Sequence, residues 1–118
     1  VSAFRKVTLT LPLDVGGSVS VRGHQSGPLA LHPTIVPGGS VPRLGAGWDI
    51  SHVATGLKLP LEALSTRQEA ETLVGLLLGD ERLWRAFSAT TREAVQAAAP
   101  GDMQTRLLNF RQQSVCIK

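Results

Sequence analysis

Asp49, Ser51 and His52 bring the three residue types of a base-activated nucleophile side by side. Their setting defeats that chemistry. On a strand, successive side chains point to opposite faces, so Ser51 and His52 stand back to back and neither can activate the other. No Gly-x-Ser-x-Gly elbow occurs anywhere in the chain. His24, His32, His52 and the lone Cys116 lack the close pairing of zinc ligands, such as Cys-x-x-Cys or His-x-x-x-His, so no metal site is expected. Gly16-Gly17, Gly38-Gly39 and Gly45-Ala46-Gly47 do not continue into Gly-Lys-Ser/Thr or Gly-x-Gly-x-x-Gly, the patterns in which backbone N–H groups cradle a phosphate. The carboxylates fall mostly on the outer faces of predicted helices, where they solvate rather than pair for acid–base work. Cys116 reads as an inert thiol, and His52 as a core histidine with a hydrogen-bonded ring. No catalytic residue, cofactor or enzymatic activity is expected.

What remains is charge. The chain carries a net +3, and the excess sits entirely in its first half. There Arg5, Lys6, Arg22, Arg43 and Lys58 face only Asp14 and Asp49, whereas from Pro60 onward acidic and basic residues balance. These five cations are the candidate contacts for a partner or for nucleic acid. Arg82 and Arg85 share a helix face but are offset by Asp80, Glu81 and Glu93, which makes an ordinary mixed-charge surface rather than a recognition helix. The aromatics are Phe4, Trp48, Trp84, Phe87 and Phe110, too few for a base-stacking module.

The elements that would position these residues change period midway. Val7, Leu9 and Leu11 alternate with Thr8 and Thr10, then Val19 and Val21 with Ser18, Ser20 and Arg22, around Asp14-Val15-Gly16-Gly17: a β-hairpin. Leu29-Ala30-Leu31 is a candidate third strand, cut by Pro33. Residues 33–47 are rich in Pro and Gly and read as one long loop, either a surface connection or a binding loop with Arg43 at its tip. Residues 48–53 and 57–59 read as a second hairpin whose pleat sets Trp48, Ile50 and His52 on one face. Capping boxes at Ser65/Gln68 or Thr66/Glu69 then open a helix with Ala70, Leu73, Val74, Leu77 and Leu78 on one stripe and Gly79 as its end. Asp80 caps a short helix carrying Leu83, Trp84 and Phe87. A Thr90/Glu93 box leads to Pro100-Gly101, and Asp102 caps a last helix with Met103, Leu107 and Phe110. The expected fold is a single α+β domain over 1–118: antiparallel hairpins, strand-rich over 5–60, packed against three to four helices over 65–114.

With 118 residues and 42% apolar content, the chain can bury one core. A lone cysteine forms no internal disulfide, no apolar run is long enough to cross a bilayer, and no signal-peptide run opens the chain. A cytoplasmic setting without a membrane partner is therefore expected. The pattern Trp48-x-Ile50-Ser51-His52-x-x-Thr55-Gly56-Leu57, followed by Ser65-Thr66-Arg67-Gln68-Glu69-Ala70 and an Ala/Leu helix, is similar to a hairpin-plus-helix unit of small phage and mobile-element proteins of GC-rich bacteria. Chain size and the lack of a catalytic motif also resemble phage-encoded inhibitors of host defence, anti-CRISPR proteins among them; the +3 charge departs from the acidity usual there. The resemblance implies a non-catalytic interaction protein that occludes a host protein or nucleoprotein complex, using its sheet half and residues 33–47. The alternative is a small basic DNA- or RNA-binding protein acting through Arg5, Lys6, Arg22, Arg43 and Lys58.

Overall fold

The period-two stretches form strands, as their spacing requires. In the computed structural model, which describes residues 4–12, 16–36 and 43–116, β1 (Arg5–Pro12) pairs antiparallel with β2 (Ser18–Ser26), in register from Arg5↔Gln25 to Pro12↔Ser18. Strands β3 (Leu29–Val36) and β4 (Arg43–His52) complete a sheet of order β1-β2-β3-β4. Four helices follow: α1 (Arg67–Leu78), α2 (Glu81–Phe87), α3 (Arg92–Ala98) and α4 (Met103–Cys116). The fold is α+β, with an antiparallel sheet in the first half and helices in the second.

The first hairpin alternates buried and exposed residues, but the β3–β4 pair does not. Leu29 to His32 and Asp49 to His52 are all buried, so both faces of that pair are covered. One face, with Leu29, Leu31 and Ile50, packs on Leu73, Val74, Leu77, Leu83, Phe87 and Leu107 from the helices. The other is covered by the sheet itself. Leu9, Leu11 and Val21 of the first hairpin cluster with Ala30, Ile35 and Val53. The sheet folds over because β2 meets β3 only at its end, from His24↔Leu31 to Ser26↔Leu29, and bends away before it. Gly23 marks the bend: a Cβ there would stand 2.6 Å from the Leu31 carbonyl oxygen and 3.3 Å from the His32 Cβ, so only glycine permits the approach.

Residues 33–47 are not one long loop. Strand β3 runs to Val36 and β4 starts at Arg43, which leaves only 37–42 outside the described residues. Pro33 is tolerated inside β3 because β2 has already left that edge, so no ladder hydrogen bond is lost, and a register shift between Pro33 and Ile35 absorbs the irregularity. Arg43 therefore pairs with Val36 in a strand rather than standing at a loop tip. The expected second hairpin is present: the chain turns at Ala54-Thr55-Gly56, His52 N–H donates to Leu57 O at 2.8 Å, and Ser51 bridges Lys58 antiparallel. After His52 the chain returns as a strap along the outer edge of β4, with Leu59 N–H donating to Ile50 O at 2.8 Å and Trp48 and Leu64 exchanging hydrogen bonds at 2.8 Å. The strap covers an edge that would otherwise be open to pairing.

The helix ends follow local chemistry. Thr66 Oγ1 accepts the Glu69 N–H at 3.1 Å, and Glu69 Oε1 accepts the Thr66 N–H at 3.2 Å, closing the capping box of α1. Asp80 caps α2 by accepting from the Arg82 and Leu83 N–H groups. The third helix is capped one residue later than its sequence suggests, by Thr91, whose Oγ1 accepts the Ala94 N–H at 3.1 Å. Asp80 also accepts from Arg106 of α4 at 2.8 Å. Burial works against its charged form, but the Leu83 N–H and then Arg106 outweigh it and hold the carboxyl below its ordinary range.

Two expectations follow. Leu77 has no exposed surface, so Leu77→Ala should cost ~2–5 kcal/mol in urea unfolding, since a cavity replaces the lost methyl groups. Gly23→Ala should cost ~1–3 kcal/mol by overpacking, although alanine is normally the better residue in a strand. A neutral outcome in the same assay would show that β2 does not depend on the close approach.

Candidate functional site

Because the inner face of the first hairpin is apolar, its outer face takes the alternate residues. Lys6, Thr8 and Thr10 of β1 and Ser20 and Arg22 of β2 are exposed there, and His24 is half-buried. Register sets Lys6 opposite His24 and Thr8 opposite Arg22. Lys6, Thr8, Arg22 and His24 line a shallow open groove of about 450 Å³. Arg67, the first residue of α1, reaches the same edge and donates from Nη2 to His24 Nδ1 at 3.4 Å. His24 is held below the ordinary histidine range, first by desolvation and then by Arg67 and Lys6, against the opposing pull of Glu71. An uncharged ring can accept the hydrogen bond from Arg67. Neither β1 nor β2 contains a carboxylate. Glu71 of α1 is paired to Arg67 at 3.7 Å.

Of the five cations singled out in the sequence, the structure brings Lys6 and Arg22 together on this face. Arg5 is exposed on the alternate side of β1, opposite Gln25. Arg43 begins β4, and its side chain lies outside the described residues. Lys58 belongs to the strap, where its ammonium donates to Leu61 O at 2.9 Å and stands 3.9 Å from Asp49. Sequence reasoning missed His24 and Arg67 as members of the face. The signal for His24 was available, because it continues the Arg22 alternation; Arg67 arrives through tertiary packing.

A second polar cluster lies between the layers of the sheet. His32 Nδ1–H donates to Pro33 O at 2.9 Å, and His32 Nε2 accepts from Ser51 Oγ at 2.8 Å. Asp49 is opposite His32 in register. Ser51 and His32 thus have the hydrogen-bond order of a base-activated serine, with the histidine supplied by the neighbouring strand rather than by His52. Ser51 is 1% exposed and His32 2%, so nothing in this arrangement opens the hydroxyl to a substrate. On the opposite face, His52 is buried as expected. Its Nε2–H donates to Phe87 O at 2.7 Å and its Nδ1 accepts from Thr55 Oγ1 at 2.9 Å.

Among the described residues, no group of three or more His, Cys, Asp or Glu is placed to hold a metal ion. No helix there is long and apolar enough to cross a membrane. No family model, curated protein or solved structure matches the chain. Its class is therefore defined by its own architecture: a folded-over antiparallel sheet backed by helices, with a basic outer hairpin face.

The His32 ring has a testable pH signature. Desolvation by burial lowers its pKa, and the Pro33 carbonyl and Asp49 only partly oppose this. With the folded value below the unfolded one, stability is complete above about pH 6.5 and declines as pH falls through that value toward the folded pKa, because the unfolded chain binds the proton first. His24 shifts in the same direction, so the measurement is made in a His24→Asn background. Ring-proton NMR should then place the His32 midpoint below ~6.5, alongside a fall in urea stability over that range. A midpoint at or above it would contradict the buried neutral tautomer.

Proposed function

We propose that this chain is a non-catalytic interaction protein that docks the outer face of its first hairpin on an anionic surface of a macromolecular partner and occludes it. The observation that carries the reading is the unpaired charge of that face. Lys6 and Arg22 make no ion pair among the described residues, whereas Arg67, Arg85 and Arg106 are each matched to a carboxylate. Cations without an ion-pair partner among the described residues, on an open strand pair, are suited to meeting charge from outside the molecule. With the resemblance to phage-encoded inhibitors, the partner becomes a host protein or nucleoprotein complex in the bacterial cytoplasm.

A second reading, direct binding of DNA or RNA, is favoured by the spread of Lys6, Arg22 and Arg67 along one edge with Thr8 between them. Phosphate contacts of this kind need no aromatic stacking.

Fluorescence anisotropy against duplex DNA, single-stranded RNA and a polyglutamate peptide separates the two, measured across salt with the native chain and the Lys6→Glu/Arg22→Glu variant. Nucleic-acid binding that falls steeply with salt and disappears in the variant establishes the second reading. Binding of the acidic peptide alone, lost in the variant, supports the first. Binding of neither probe at low salt, or no effect of the charge reversal, rejects the face as the site.

A further inference from the structure

Helix α3 is turned the wrong way for a helix that only fills space. Its alanines Ala94, Ala97 and Ala98 are exposed, and no residue of the helix is buried. The side facing the body instead presents Arg92, Val95 and Gln96, at i, i+3 and i+4, over a cleft of about 400 Å³. Beneath them the cleft is lined by Leu59 of the strap, Phe87 at the end of α2 and Met103 at the start of α4. This volume is in the range of small-molecule sites, as is an apolar floor with a few polar groups at one side.

The polar groups narrow the chemistry. No carboxylate lines the cleft. His52 forms part of its wall, but both ring nitrogens are already engaged, by Thr55 and by Phe87 O. Lys58 is held by Leu61 O and Asp49. Arg92 makes no hydrogen bond or ion pair among the described residues, and neither does the Gln96 amide one turn along. A cation and an amide over an apolar floor match a small amphiphile with a single anionic head. We propose that the cleft under α3 binds a medium-chain monocarboxylate, with the carboxylate on Arg92 and Gln96 and the chain against Leu59, Phe87 and Met103. This site is separate from the basic hairpin face and does not rest on it.

The test is an NMR titration of the isotope-labelled full chain with decanoate below its micellar concentration, with decanol as the neutral control. Saturable shifts centred on Phe87, Val95 and Met103 are expected, with decanol binding at least about tenfold more weakly, since a charge-assisted contact is lost. Arg92→Gln should weaken decanoate by a similar factor without changing decanol, and Val95→Trp should abolish both by filling the cleft. The Lys6→Glu/Arg22→Glu variant should bind decanoate like the native chain, which separates this site from the one proposed for the macromolecular partner. Absence of saturable shifts, equal affinity for decanol and decanoate, or an unchanged Arg92→Gln variant would each overturn the assignment.

Discussion

The bend of β2 at Gly23 is the constraint on which the rest of the molecule depends. A strand that continued straight would leave the apolar residues of the first hairpin, Leu9, Leu11 and Val21, facing water. By passing within van der Waals reach of Leu31 O, the glycine lets that hairpin fold back so that these side chains cover Ala30 on the far face of β3. The helices cover the near face. The β3–β4 pair is thereby buried on both sides, an environment more usual for the central strands of sheets with helices on both faces than for an antiparallel pair at a sheet edge. The same fold-over also decides which way the hairpin's polar residues point. Once Leu9, Leu11 and Val21 face inward, Lys6, Thr8, Arg22 and His24 must face out.

Double burial creates a difficulty for any polar residue on β3 or β4, and the structure meets it with hydrogen bonds. His32 and Ser51 lie on diagonally related positions of neighbouring strands and satisfy each other, while the second ring nitrogen of His32 uses the Pro33 carbonyl. On the other face His52 ties the start of the strap to the end of α2 through Thr55 and Phe87 O. Each ring thus has both nitrogens hydrogen-bonded, as low-dielectric surroundings require. The resemblance of the Ser51–His32 pair to a catalytic dyad is a by-product of the same requirement, since a buried hydroxyl and a buried imidazole are most simply satisfied by each other.

Much of the architecture was legible because it is encoded locally. The alternation of Val7 to Leu11 and Val19 to Val21 gave the first hairpin, the Thr66/Glu69 box and the Leu73–Val74–Leu77 stripe gave α1, and Asp80 gave the start of α2. The errors have non-local causes. Pro33 and the glycines after it read as loop, because nothing in that stretch reveals that β2 has already left the edge where Pro33 would otherwise lack a hydrogen bond. Ser51 has His52 as its sequence neighbour, whereas its hydrogen-bond partner His32 comes from the adjacent strand, a pairing that only the register supplies. Likewise the spread of cations through the first half was visible, but not the fact that Lys6 and Arg22 converge, or that Arg67 from a distant helix joins them.

The distribution of partners among the charges gives the sharpest contrast between the two halves. In the helical half several charges are used internally: Arg106 bridges Asp80 and Asp102, Arg85 meets Glu81, and Arg111 donates to the carbonyls of Glu62 and Ala63, binding α4 to the strap, while Arg92 makes no ion pair among the described residues. Arg106 and Arg111 thereby tie α4 to the start of α2 and to the strap, alongside the apolar core the helices share. The hairpin has no such use for Lys6 or Arg22. Its inner face is held by Leu9, Leu11 and Val21, and its ladder by backbone hydrogen bonds. Cations on a strand face with no carboxylate in either strand raise the local potential. The folding of the sheet over Gly23 is what turns these side chains outward and leaves that face open.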